Sequence, residues 1–142
     1  MPAPKLVRDI MTTELTTLEA DAKLLDAALL MRSSGFRHLP VVKDGRLVGL
    51  LSDRDVHRAS PSMFSNTSPE EYNRLFETTP IEKVMTKDPV SVSPDTPITE
   101  VVQLMHQHKY GSVPVVDASG TLAGIVTTTD MLRILSELLG ES

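Results

Sequence analysis

Two short stretches place a hydroxyl three residues ahead of a carboxylate: Ser52-Asp53-Arg54-Asp55 and Thr127-Thr128-Thr129-Asp130. Each follows an apolar, β-prone run, Gly49-Leu50-Leu51 and Gly124-Ile125-Val126, so each falls where a strand hands over to a helix. Such a pair suits a helix N-terminus, where the hydroxyl accepts from free amides and the acid complements the helix dipole. The same groups suit a ribose phosphate. A carboxylate accepts both hydrogens of a 2′,3′-diol, while the hydroxyl and the free amides hold an oxygen or a phosphate. Each hydrogen bond to a charged group contributes on the order of 1.5–3 kcal/mol, which with an apolar slot for a base supports micromolar binding. The residues alone leave cap and site both open.

Other chemistry finds little support. Ser52 has no base arranged for it and no Gly-x-Ser-x-Gly elbow occurs, so nucleophilic catalysis has no constellation. His106 and His108, two apart on an expected helix, face different directions and read as surface or structural residues rather than zinc ligands. Asp53 and Asp55 read as solvated acids of a cap turn rather than a magnesium site. The absence of cysteine excludes disulfides, thiolate metal sites and a cysteine nucleophile. Nineteen acidic against 14 basic residues give a net charge of -5, which argues against nucleic acid as a partner but leaves room for a local basic pocket. No apolar run approaches the roughly 18 residues of a membrane span, and the opening Met1-Pro2-Ala3-Pro4-Lys5 does not resemble a signal peptide. A cytoplasmic protein is expected.

The elements that position the two acids are themselves duplicated. Val7-Arg8-Asp9-Ile10-Met11-Thr12 returns as Ile81-Glu82-Lys83-Val84-Met85-Thr86, a shift of 74 positions. At that shift Met31 meets Met105, and Pro40-Val41-Val42 meets Pro114-Val115-Val116. One extra residue enters at the turn Asp117-Ala118-Ser119-Gly120, after which Gly49, Asp55 and Arg58 meet Gly124, Asp130 and Arg133. Ordered identities with a single insertion at a turn mean duplication. Each copy reads strand, helix, strand, strand, helix. Short strands are expected at 16–18 and 90–92, hairpins at 39–51 and 113–126, and a helix at 22–33 stopped by Gly35. The matching helix of the second copy is expected to start with Thr96 as N-cap and Pro97 at its first position. Met11, Met31, Met85, Met105 and Met131 fall at repeat or helical positions and read as core filler.

The chain therefore divides by sequence into 1–60, a connector at 61–80, and 81–142. The connector begins with loop composition through Ser65-Asn66-Thr67, then Ser68-Pro69-Glu70-Glu71 supplies a helix start ahead of an apolar face of Tyr72, Leu75 and Phe76. Each copy alone is too short to bury much core, so the two are expected to share one, with clefts where they meet.

The ordered motifs resemble a tandem pair of CBS domains, the Bateman module, over nearly the whole chain. They are Asp9-Ile10-Met11-Thr12 and Lys83-Val84-Met85-Thr86, His38-Leu39-Pro40-Val41-Val42 and Ser112-Val113-Pro114-Val115-Val116-Asp117, and the two Gly-x-x-Ser/Thr-x-x-Asp ends. The extended Arg58–Pro80 connector is similar to that of stand-alone bacterial CBS proteins, including the CBS portion of acetoin-utilisation proteins. The resemblance implies an α/β (α+β) fold of two β-α-β-β-α motifs packed with pseudo-twofold symmetry. It also implies two clefts that bind AMP, ADP, ATP or S-adenosylmethionine, one motif lining the adenine and the other supplying the ribose acid. Carried onto this sequence, cleft A joins Thr12, Thr17, Arg37, His38, Leu39 and Pro40 to Thr127 and Asp130. Cleft B joins Thr86, Ser91, Ser112, Val113 and Pro114 to Ser52, Arg54 and Asp55. Arg37-His38 stands where the second copy has Gly111-Ser112, which ranks cleft A first for a phosphate-bearing nucleotide, while Arg54 is a phosphate partner for cleft B. The family further implies a non-catalytic sensor that needs no cofactor, with AMP or ATP as ligand. Its partners would be a second copy, with the 131–139 helix as a self-association face, and an effector protein. An S-adenosylmethionine-type sensor and a dimeric scaffold with vestigial clefts are the alternatives.

Overall fold

The computed structural model describes residues 5–60 and 67–140, so the loop composition noted at 61–66 lies outside the described residues. Packing divides the chain into two units: Thr16–Pro89, and Met1–Leu15 together with Val90–Ser142. These are not the repeat boundaries. A repeat is defined by homologous position, whereas a unit is defined by which apolar side chains bury one another.

In the first unit β1 (Leu18–Glu19), β2 (His38–Lys43), β3 (Arg46–Ser52) and β4 (Thr86–Lys87) form one sheet in that order. β1 runs parallel to β2, and β3 is antiparallel to both β2 and β4. The β2–β3 hairpin turns through Asp44 and Gly45, both at positive φ (53° and 78°), the twist that two-residue hairpins require. α1 (Leu24–Ser34) buries Leu24 and Ala27 and stops at Gly35, which sits at φ 78° and donates its amide to the Met31 carbonyl at 2.9 Å. α2 (Asp53–Ala59) follows β3 directly. α3 (Pro69–Thr78) begins where the Ser68 hydroxyl accepts from the Glu71 amide at 3.2 Å, and it packs beside α1. The core is Leu18, Ala20, Ala27, Leu39, Val41, Leu51 and Ile81, with Met31 and Met85 against it.

The second unit repeats the plan with thinner edges. β5 (Ser112–Val116) and β6 (Leu122–Thr127) form the antiparallel pair. Single bridges, Val92 parallel to Val115 and Thr12 antiparallel to Ile125, stand where the first unit has β1 and β4. The extra turn residue is accommodated by Asp117, whose Oδ1 accepts from the Ser119 and Thr121 amides and from the Ser119 hydroxyl. α4 (Ile98–His108) starts one residue later than the sequence suggests. Thr96 does not cap it; its hydroxyl accepts from the Ser93 amide at 3.0 Å and closes the preceding turn instead. α5 (Thr128–Gly140) turns Met131 and Ile134 onto the core and leaves Leu132, Leu135, Leu138 and Leu139 exposed.

Each unit takes the head motif that precedes the other copy in sequence. Val7 and Ile10 lie in the core with Val92, Val101, Met105, Val113, Val115 and Val126. Ile81 lies in the core of the first unit, tied there by its amide to the Ala22 carbonyl at 3.0 Å. The methionine that follows each head lies over a strand glycine. A Cβ on Gly124 would come within 2.8 Å of the Met11 sulfur and 3.0 Å of the Thr12 carbonyl, and one on Gly49 would collide with the Met85 side chain. Glycine at these two positions is a matter of space, since neither has a positive φ.

Candidate functional site

At the end of β6, Thr127 and Asp130 cap α5 reciprocally. The Thr127 amide donates to Asp130 Oδ2 at 2.8 Å, and the Asp130 amide donates to the Thr127 hydroxyl at 3.3 Å. The Thr127 hydroxyl also lies 3.2 Å from Oδ2. A third group arrives from the head segment. Thr12 Oγ1 donates to Asp130 Oδ1 at 3.2 Å, held in place because Thr12 and Ile125 exchange both backbone hydrogen bonds at 2.9 and 3.0 Å. Arg133 Nη2 stands 3.5 Å from Oδ1 and 3.5 Å from the Ile10 carbonyl. Asp130 is 4% exposed, and a buried carboxylate is tolerable because these donors replace its water.

At the end of β3 the same cap recurs with fewer partners. The Ser52 amide donates to Asp55 Oδ2 at 2.8 Å and the Asp55 amide to the Ser52 hydroxyl at 3.2 Å. Thr86, the counterpart of Thr12, is exposed in β4 and makes no hydrogen bond to Asp55, whose Oδ1 has no partner among the described residues. Asp55 is only half-buried. In both units the first amide of the acid-bearing helix donates to the carbonyl just ahead of the hairpin, Asp53 to Arg37 at 2.9 Å and Thr128 to Gly111 at 3.1 Å. That tie brings Arg37-His38 beside the Ser52 cap, and His38 lies opposite Ser52 in the strand register. Burial holds the His38 imidazole below its usual pKa of 6.5, outweighing Asp53 and Asp55, which raise it; Arg37 and Arg54 lower it further. On α2, an open depression of about 520 Å³ is lined by Asp53, Arg54, His57 and Arg58.

The remaining expected residues divide by burial. Leu39, Pro40, Val113 and Pro114 are fully buried core, so they give a site its frame rather than its contacts. Thr17 and Ser91 are half-buried and make no side-chain hydrogen bond among the described residues. Ser112 is 4% exposed, lies opposite Thr127, and its hydroxyl has no partner among the described residues. Arg133 was not among the residues the sequence singled out for a site. Its signal is the arginine three residues after the acid in both copies, Asp55/Arg58 and Asp130/Arg133. Among the described residues no cluster of three acids or histidines could hold a metal, and no helix is long and apolar enough to cross a membrane.

Fold and corners together define a duplicated α+β module in which each strand pair ends in a hydroxyl-and-acid cap. The chain belongs to the CBS-domain family, whose model matches residues 7–62 and 81–137. It is similar to an acetoin utilization protein from Vibrio cholerae, at 36% identity and a TM-score of 0.78 over 97% of this chain and 94% of that one. It resembles CBSX2 from Arabidopsis thaliana, whose complex with AMP gives 27% identity and a TM-score of 0.78 over 96% and 99% of the two chains. The CBS domain pair of protein MJ0100, in complex with 5-methylthioadenosine and S-adenosyl-L-methionine, matches at 27% identity and a TM-score of 0.78 over 96% and 99%. The chain is thus a CBS domain pair, and the CBSX2 and MJ0100 structures show such pairs in complex with adenosyl ligands.

Proposed function

We propose that this chain is a non-catalytic regulatory module that binds an adenine nucleotide, AMP, ADP or ATP, in the clefts expected between its CBS motifs. The observation that carries the reading is the Thr12 hydroxyl on the Asp130 carboxylate, two groups 118 positions apart that the family pattern assigns to one ribose site. A ribose diol replaces the Thr12 hydroxyl on Oδ1 while the Thr127 amide keeps Oδ2 in place. Arg37 and His38, expected in cleft A, lie beside the Ser52 cap with Arg54, so a phosphate is favoured there, next to a ribose on the open Oδ1 of Asp55. The AMP complex of CBSX2 supports the ligand class. Ligand stabilises whichever arrangement it binds better, and a cytoplasmic effector protein reads that shift. The exposed leucines of α5 support a homodimer as the form that responds. An S-adenosylmethionine-type ligand is the second reading, favoured by the MJ0100 complex. Against it, Arg37 and Arg54 have no acidic partner within ion-pair distance among the described residues, which favours a phosphate over a sulfonium cation.

Calorimetric titration of AMP, ATP and S-adenosylmethionine into the wild type, Asp55→Ala and Asp130→Asn tests this. The expected outcome is saturable AMP or ATP binding that weakens about tenfold or more in at least one acid variant, the loss of one charged hydrogen bond. Absence of heat with every ligand at several temperatures supports the dimeric scaffold instead.

A further inference from the structure

One feature of the first unit has no counterpart in the second. Where β2 is preceded by Arg37 and begins with His38, β5 is preceded by Gly111 and begins with Ser112. His38 is half-buried, and neither ring nitrogen has a hydrogen-bond partner among the described residues. Its charged surroundings are mixed: Arg37 precedes it on the chain, and Asp53, Arg54 and Asp55 face it from the start of α2. Asp53 and Asp55 balance the charge of the two arginines, but neither guanidinium is engaged in an ion pair among the described residues, so both remain available to a phosphate.

We propose that His38 is the proton-accepting member of the Arg37–His38–Arg54 cluster, so that a phosphorylated nucleoside binds with uptake of a proton onto this imidazole, whereas an uncharged nucleoside does not. This rests on the adenine-nucleotide reading above. In the free protein, burial disfavours the protonated ring. A phosphate placed among the two arginines and the ring adds a strong nearby negative charge and two further acceptors, which favour the imidazolium. The ring nitrogens are unoccupied, so protonation turns His38 into a second donor toward the phosphate without breaking an existing contact. Because the second copy carries Ser112 at this position, the effect belongs to one site of the pair. Affinity for the phosphorylated ligand then rises as pH falls, by up to about tenfold per pH unit between the free and bound values of the ring.

The test is calorimetry of AMP and of adenosine at neutral pH in two buffers of different ionisation enthalpy, on the wild type and His38→Gln. The expected result is net uptake of up to about one proton with AMP, none with adenosine, and in His38→Gln only what the AMP phosphate itself contributes (its second pKa is about 6). Nuclear magnetic resonance titration of the His38 ring in the wild type, with and without saturating AMP, needs no variant and is expected to show the ring titrating at higher pH when AMP is bound. AMP binding with equal uptake in wild type and His38→Gln, or a ring titration that AMP does not move, overturns the role of His38 and leaves the nucleotide reading intact. No binding of any adenosyl ligand overturns both.

Discussion

The corner at Asp130 and the corner at Asp55 descend from one sequence and share one cap, yet they differ in what surrounds the acid. Asp130 is buried and receives the Thr127 amide, two hydroxyls and a guanidinium. Asp55 is half-buried and receives the Ser52 amide alone. The difference comes from the head segments. Thr12 bridges to Ile125 in the β6 ladder and turns its hydroxyl onto the acid, whereas Thr86, which pairs with Leu50, stays exposed. A capping box is therefore the inherited part, and the third partner decides whether the acid is an integral piece of the unit or an open group at its edge.

Removing the acids gives the largest contrast. Asp130→Ala strands the Thr127 amide and the Thr12 hydroxyl in a buried corner and is expected to cost about 2–3 kcal/mol of unfolding free energy. Asp55→Ala removes an accessible cap and is expected to cost about 1 kcal/mol. Urea denaturation of both variants measures the gap, and equal losses break the comparison. The glycines come next. Gly124→Ala presses on the Met11 sulfur and on the Thr12 carbonyl, which is backbone and cannot swing away, so about 2 kcal/mol is expected. Gly49→Ala meets only the flexible Met85 side chain and is expected to cost less than half of that, read from the same denaturation curves. Thr12→Val sharpens the point further: about 1 kcal/mol lost, against no measurable change for Thr86→Val.

The smallest effects are in pH. As pH falls below 6.5 the unfolded chain protonates its histidine more readily than the folded protein protonates His38, which burial holds lower. The unfolded state then binds more protons, so the stability tied to neutral His38 is full above 6.5 and is lost as pH falls through the folded value. His38→Gln is expected to flatten that slope in thermal melts run across the range. Asp117 gives the acidic counterpart. The Ser119 hydroxyl, then the Thr121 amide, hold its carboxyl below the usual 3.8, so its support for the β5–β6 turn is present above 3.8 and fades as pH falls further. Amide exchange of Ser119 and Thr121 reads that change directly.

Much of this arrangement is legible in the sequence, because it depends on neighbours. The hairpins follow from Asp44-Gly45 and the Asp117–Gly120 insertion, the α1 stop from Gly35, and the two acid caps from a hydroxyl three residues ahead of a carboxylate. Thr96 misleads because a threonine before a proline reads equally well as a helix cap and as the closure of the turn before it. The Thr12–Asp130 contact is not derivable from spacing; the family resemblance put the two residues in one site, and only the fold brings them to 3.2 Å. The pairing of Met11 with Gly124 leaves a faint signal, since both residues recur at the repeat offset, but nothing in one sequence says that the two repeating positions meet. The leucines of α5 fit a buried stripe as well as an exposed one, because helical periodicity records a face and not what covers it.

The exchange of head segments also orders events in time. Thr16–Pro89 is one uninterrupted stretch, so during synthesis every residue of that unit has been added to the chain before Val90. The other unit has its earliest residues, Val7 and Ile10, waiting for Val101, Val113 and Val126, which are translated last. Its completion requires closing a loop that contains the whole of the first unit, a loop-closure cost that grows slowly with length but delays the contact. Val7 and Ile10 thus wait longest for their core partners, and Thr16–Pro89 is expected to gain protease resistance on nascent chains stalled after it has left the ribosome and before the second unit can close.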